Sequence, residues 1–131
     1  MKINDSNIKK AVKYLNNNEC IGIPTETVYG LAANAYSDKA TKRIFKLKGR
    51  PADNPLIVHY YNIKDLEKDC KTNTLFYKLY NSLCPGPITF ILKLKNKSKI
   101  SKNVTNNKKT LGVRFPSHQT ARTVSYTHLT L

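Results

Sequence analysis

Apolar positions recur at helical spacing near the start of the chain. Ile8, Ala11, Val12 and Leu15 fall on one face behind a capping Asp5 or Ser6, and Asn16, Asn17 and Asn18 end the pattern. Residues 20–23 (CIGI) read as a short buried strand stopped by Pro24, and residues 25–30 as the loop after it. Residues 31–35 are small and apolar enough to pack closely beneath that loop. Asp38 opens a second helix whose Ala40, Ile44 and Leu47 make an inward stripe, while Lys39, Lys42, Arg43 and Lys46 face out. Gly49 and Pro51 stop it.

Further on, residues 55–60 (PLIVHY) form a second clear strand. Residues 63–71 and 74–83 read as helices, the latter carrying Leu75, Leu79 and Leu83. Pro85-Gly86-Pro87 is a rigid turn into a strong strand over residues 88–94. Residues 96–109 are polar and lysine-rich and read as an exposed loop; residues 110–115 are another strand, broken by Pro116. The alternation of strands and helices predicts an α/β (α+β) fold with a mixed sheet. No internal repeat interrupts it.

Length and composition narrow the class. The chain's 131 residues allow one domain with a real core, and 40% hydrophobic against 24% charged residues is a globular balance rather than a disordered one. The apolar runs are too short to span a bilayer, and the first residues lack the apolar stretch of a signal peptide. A cytoplasmic location is the expectation. Cys20, Cys70 and Cys84 are odd in number without CxxC spacing, which reads as free thiols in a reducing compartment. The net charge of +15 attracts polyanions, whether nucleotides or RNA. Lysine, asparagine and isoleucine are abundant throughout, however, and scattered lysine recognises less than arginine forks do. Most of the excess charge therefore reads as background composition.

Candidate chemistry sits at element ends. The loop PTETVYG (24–30) offers hydroxyls and backbone N–H groups after a strand, suited to a small polar ligand, although such a turn is commonly an ordinary loop. Lys48 and Arg50 leave the second helix two residues apart. Cations there complement the helix dipole in any protein, but a lysine charge beside an arginine fork also clamps a triphosphate. Asn54 adds an amide for a phosphate oxygen or ribose. His59 ends an apolar strand, where a histidine is commonly structural; a ligand role requires the 25–29 loop within reach. Arg114 lies between Val113 and Phe115 in a short strand, where an unpaired guanidinium is costly. An internal acid could pair with it, but with eight Asp and Glu in the chain a bound carboxylate is the better partner. GxxxxGK[ST], GxGxxG, HExxH and GxSxG are all absent.

Read together, these residues are similar to the YrdC/TsaC family of threonylcarbamoyl-AMP synthases. The match rests on PTETVYGLA (24–32), KGRPADNPLIVH (48–59), CPGPITFIL (84–92) and LGVRFPSH (111–118), in the family's order. The resemblance implies a YrdC-type twisted mixed sheet flanked by helices around a concave basic cavity. It also implies a nucleotidyltransferase that joins L-threonine, bicarbonate or CO2, and ATP into threonylcarbamoyl-AMP and pyrophosphate. The product would feed a tRNA-modifying threonylcarbamoyl transferase complex. By the family's pattern Thr27, His59 and Arg114 contact threonine, and Lys48, Arg50, Asn54 and Thr110 contact ATP. Catalysis is then mostly positioning, with Lys48, Arg50 and Mg2+ neutralising the triphosphate. The family continues to an SxN motif that this chain lacks, so residues 1–122 are expected to be an incomplete domain and 123–131 a non-family tail. The alternative is a non-catalytic double-stranded-RNA or tRNA-binding module of the same fold.

Overall fold

The structure, a computed structural model, describes residues 5–24, 29–49, 51, 53–118, 121 and 129–130. Helix α1 (Asp5–Asn16) leads into a hairpin of β1 (Ile21–Pro24) and β2 (Tyr29–Asn34), then α2 (Asp38–Lys48) and β3 (Ile57–His59). Helices α3 (Ile63–Asp69) and α4 (Thr74–Leu83) precede β4 (Thr89–Lys93), a short α5 (Lys102–Thr105), β5 (Thr110–Arg114) and β6 (Leu129–Thr130). The strands form one mixed sheet in the order β1-β2-β6-β3-β5-β4, with β3 parallel to β5 and the other pairs antiparallel. The mixed α/β architecture expected from the alternation is the one observed.

Alternation along the strands gives the sheet two different faces. Val58, Val113, Leu111, Phe90 and Leu92 point to one side and are buried with Ile44 and Phe45 of α2, Leu66 of α3, Phe76 of α4 and Val104 of α5. Phe76 meets Phe90 edge-on at 5.0 Å, and Tyr80 meets Phe115 at 4.9 Å, which fixes α4 across the sheet. The opposite face carries His59, Arg114, Thr89 and Ile91. Over the β1–β2 end of that second face lies α1, where Leu15 packs with Ile23, Ala32 and Ala121.

Four details differ from the sequence expectation. Residues 29–34 form strand β2 rather than a packed segment beneath a loop; Gly, Ala and Asn are weak strand formers, and the hairpin pairing with β1 decides. Pro24 belongs to β1 instead of stopping it, which an edge strand tolerates. Leu47 shares its helix face with Ala40, yet it is 66% exposed, because the last turn of α2 runs past the packed core. Thr41 and Phe45 complete the inward stripe instead. Finally, residues 96–109 are no simple exposed loop. Ser101 caps α5, and Ile100, Val104 and Thr105 are buried. Four residues of helix are too few for periodicity to betray it. The three cysteines are free, and burial pushes the Cys70 thiol up to about 12.

Candidate functional site

Register places three rows of side chains across the second face of the sheet. The middle of the first row is Arg114, whose partners are His59 on β3 and Thr89 on β4. Cross-strand partners share a face, so the three side chains adjoin one another. The Arg114 guanidinium donates to Thr89 Oγ1 from Nε at 3.2 Å and from Nη2 at 2.9 Å. Those two bonds fix the plane of a fork that has about five N–H donors. No carboxylate among the described residues pairs with it. A half-buried, oriented guanidinium with donors to spare is a receptor for an anionic fork such as a carboxylate.

His59 is 1% exposed, and its Nδ1 has no hydrogen-bond partner among the described residues. A buried polar atom without a partner costs about 1–3 kcal/mol, which makes Nδ1 a candidate contact for a ligand. Burial, and then the neighbouring Arg114 charge, hold the imidazole pKa down at about 3. The ring is therefore neutral near pH 7 and can take one hydrogen bond at Nδ1 without adding charge to the site.

The next row, two residues back along β5, is Ile57–Gly112–Ile91. It forms the floor of a cavity of about 310 Å³ with Thr89 and Thr110, rimmed by Pro55 and Lys108. Ligand cavities start at about 300 Å³. Among the described residues no three His, Cys, Asp or Glu side chains gather as a metal-binding group.

Of the residues singled out in the sequence, the fold brings His59 and Arg114 together, with Thr110 four residues up the same strand in the cavity wall. Lys48 stands exposed at the end of α2, where Gly49 adopts the left-handed conformation (φ 60°) and closes the helix. Asn54 is exposed in the turn before β3, its N–H donating to the Pro51 carbonyl at 3.1 Å. Neither lines the cavity. Thr27 and Arg50 lie outside the described residues. Sequence reasoning passed over Thr89, Ile57, Ile91 and Gly112, since only the register of three non-consecutive strands makes them neighbours.

A family model described as Sua5_yciO_yrdC, "Telomere recombination", matches residues 13–128. The chain belongs to the Sua5/YciO/YrdC family. The threonylcarbamoyl-AMP synthase of Bacillus subtilis is 41% identical over 126 residues, which cover 92% of this chain and 35% of that protein. The synthase of Pyrococcus abyssi is 38% identical, again over 92% of this chain and 35% of the relative. The solved structure of P. abyssi Sua5 complexed with L-threonine matches with a TM-score of 0.90 at 35% identity, over 99% of this chain and 39% of that one. The family resemblance and the fold read from the four sequence blocks are thus borne out. This chain spans about a third of the length of these two relatives.

Proposed function

We propose that the chain carries the synthase domain of a threonylcarbamoyl-AMP synthase working in the cytoplasm. It would make threonylcarbamoyl-AMP and pyrophosphate from L-threonine, bicarbonate or CO2, and ATP. The observation that carries this reading is the His59–Arg114–Thr89 row: a guanidinium oriented by Thr89 with no acid on it among the described residues, beside a buried neutral imidazole whose Nδ1 has no partner among them. Together they suit an amino acid, with the carboxylate on Arg114 and a polar group of threonine on His59 Nδ1. Thr27 is assigned the third contact.

The reaction follows from that grip. The threonine amine, deprotonated, forms a C–N bond to CO2 and loses its second proton to solvent, giving a carbamate. A carbamate oxygen then attacks the α-phosphorus of ATP while the bond to pyrophosphate breaks. Lys48 and Arg50 are assigned to the phosphates, where two cations offset the charge that builds up on the leaving group. Asn54 and Thr110 are assigned to the rest of the nucleotide. Mg2+ enters with ATP as part of the substrate, carried on the phosphates. The product would pass to a threonylcarbamoyl transferase complex that modifies tRNA.

The test is L-threonine- and bicarbonate-dependent pyrophosphate release from ATP, run on this chain and on a version extended through an SxN motif. An extended protein that releases no pyrophosphate ends the synthase reading. Arg114→Ala should raise the threonine concentration for half-saturation by about 100-fold or more, since hydrogen bonds to a charged group contribute ~1.5–3 kcal/mol each. Ordinary threonine dependence in that variant would remove the role given to Arg114.

A further inference from the structure

Thr89 opens β4, the edge strand of the sheet, directly opposite Arg114. A β-branched residue in a strand has few side-chain conformations open to it. Its Cγ2 methyl lies 3.8 Å from where a Cβ on Gly112 would stand, an ordinary packing distance. Its Oγ1 lies 2.9 Å from Arg114 Nη2 and 3.2 Å from Arg114 Nε. The methyl packs along the sheet, and the oxygen faces the guanidinium.

Nε and Nη2 are the side edge of that guanidinium, and a single oxygen accepts from both. A hydroxyl oxygen has two lone pairs, so these bonds fill it as an acceptor. Of the ~5 N–H donors in the fork roughly three remain, on Nη1 and the far side of Nη2. No other hydrogen bond engages them among the described residues. They form the end edge, where parallel N–H bonds match the two oxygens of a carboxylate. With its side edge tethered, Arg114 has the end edge alone to offer.

We propose that Thr89 is a positioning residue for the amino-acid substrate: it holds the side edge of Arg114 and thereby presents the end edge to the carboxylate before the ligand arrives. This deepens the amino-acid reading above and rests on it. An arginine is a long side chain with much rotamer freedom, and a ligand that has to order it loses affinity. Tethering orders it in advance. Thr89 does this without touching the substrate, and its whole effect passes through the guanidinium.

The experiment is steady-state pyrophosphate release by the chain extended through an SxN motif, with L-threonine and ATP varied in turn. Thr89→Val keeps the shape of the side chain and its methyl contact and removes the oxygen. It should raise the KM for L-threonine about tenfold, roughly the effect of one arginine left to be ordered, with kcat and the KM for ATP within about twofold. Thr89→Ser retains the oxygen on a less constrained side chain and should stay within about threefold of the unsubstituted protein. In an Arg114→Ala background Thr89→Val should add nothing further. Thermal melting confirms that each variant is folded, and Thr89→Ala is read in the same way should Thr89→Val not be. An unchanged threonine KM in Thr89→Val, an equal loss in Thr89→Ser, equal rises for threonine and ATP, or an additive loss on Arg114→Ala each overturns the role of Thr89 while the amino-acid reading stands. Ordinary threonine dependence in Arg114→Ala, or no pyrophosphate release from the unsubstituted protein, overturns that reading and the role of Thr89 with it.

Discussion

Arg114 and His59 are held side by side although their charges would repel, and the fold resolves this by keeping His59 neutral. The folded imidazole has a pKa of about 3 against an ordinary 6.5. Below pH 6.5 the unfolded chain takes up a proton that the folded chain refuses. His59's contribution is thus complete above pH 6.5 and is lost progressively as pH falls toward 3, by at most about 1.4 kcal/mol per pH unit. Urea midpoints measured across that window should fall with pH, and His59→Gln should flatten the fall. An identical slope in that variant would mean that other groups carry it. At this scale the sequence was informative about charge and silent about company. Arg114 between Val113 and Phe115 announces a buried cation seeking a partner. Nothing local announces Thr89, because β4 and β5 meet through a pairing that joins residues 25 positions apart.

Beside the apolar core, Asp69, the last residue of α3, ties several elements together. Its Oδ2 accepts from the Tyr36 hydroxyl at 2.6 Å and from the Tyr60 hydroxyl at 2.7 Å, and its Oδ1 accepts from Ser98 Oγ at 2.6 Å. Those three hydroxyls follow β2, β3 and β4 in turn, so one buried side chain gathers the exits of three strands. Burial first, and then Asp69 itself, push both phenols well above their ordinary pKa of 10, and both stay donors. Asp69→Ala removes the acceptor that the three hydroxyls share and should destabilise the fold by about 2–4 kcal/mol, given ~1–3 kcal/mol per lost buried bond and some rehydration. Chemical denaturation measures it, and a loss under 1 kcal/mol would show that water replaces the carboxylate. The long elements, α1, α2, α4, β4 and β5, were legible because each holds its period for several residues. Strand β2 and helix α5 were not. The first is set by its hairpin partner, and the second by Ser101, which accepts from the Asn103 N–H and donates to Asp38 Oδ1.

Across the whole molecule, charge is sorted by use. The chain has few acids, and several of the described ones are engaged internally: Asp38 by Ser101, Glu67 by Tyr77 and Asp69 by three hydroxyls. Most lysines, by contrast, are exposed. The +15 balance therefore becomes a positive outer surface around a sheet face whose own fixed cation is Arg114. Two of the family blocks reach that face, one ending on His59 and the other running through Arg114. They gave no hint of its unequal support. The β3–β5–β4 side rests on the large core beneath α2, α3, α4 and α5, whereas α1 and the outer strand β1 rest on the small cluster of Leu15, Ile23, Ala32 and Ala121. Such a division makes two cooperative units of different local stability. In deuterium exchange the amides of Ile21 and Ile23 should lose protection earlier than those of Phe90, Leu92 and Val113; equal protection would mean that the sheet opens as one. The β1–β2 hairpin would then breathe on its own while the arginine strand stays shut, so local opening at one end of the sheet need not loosen the other.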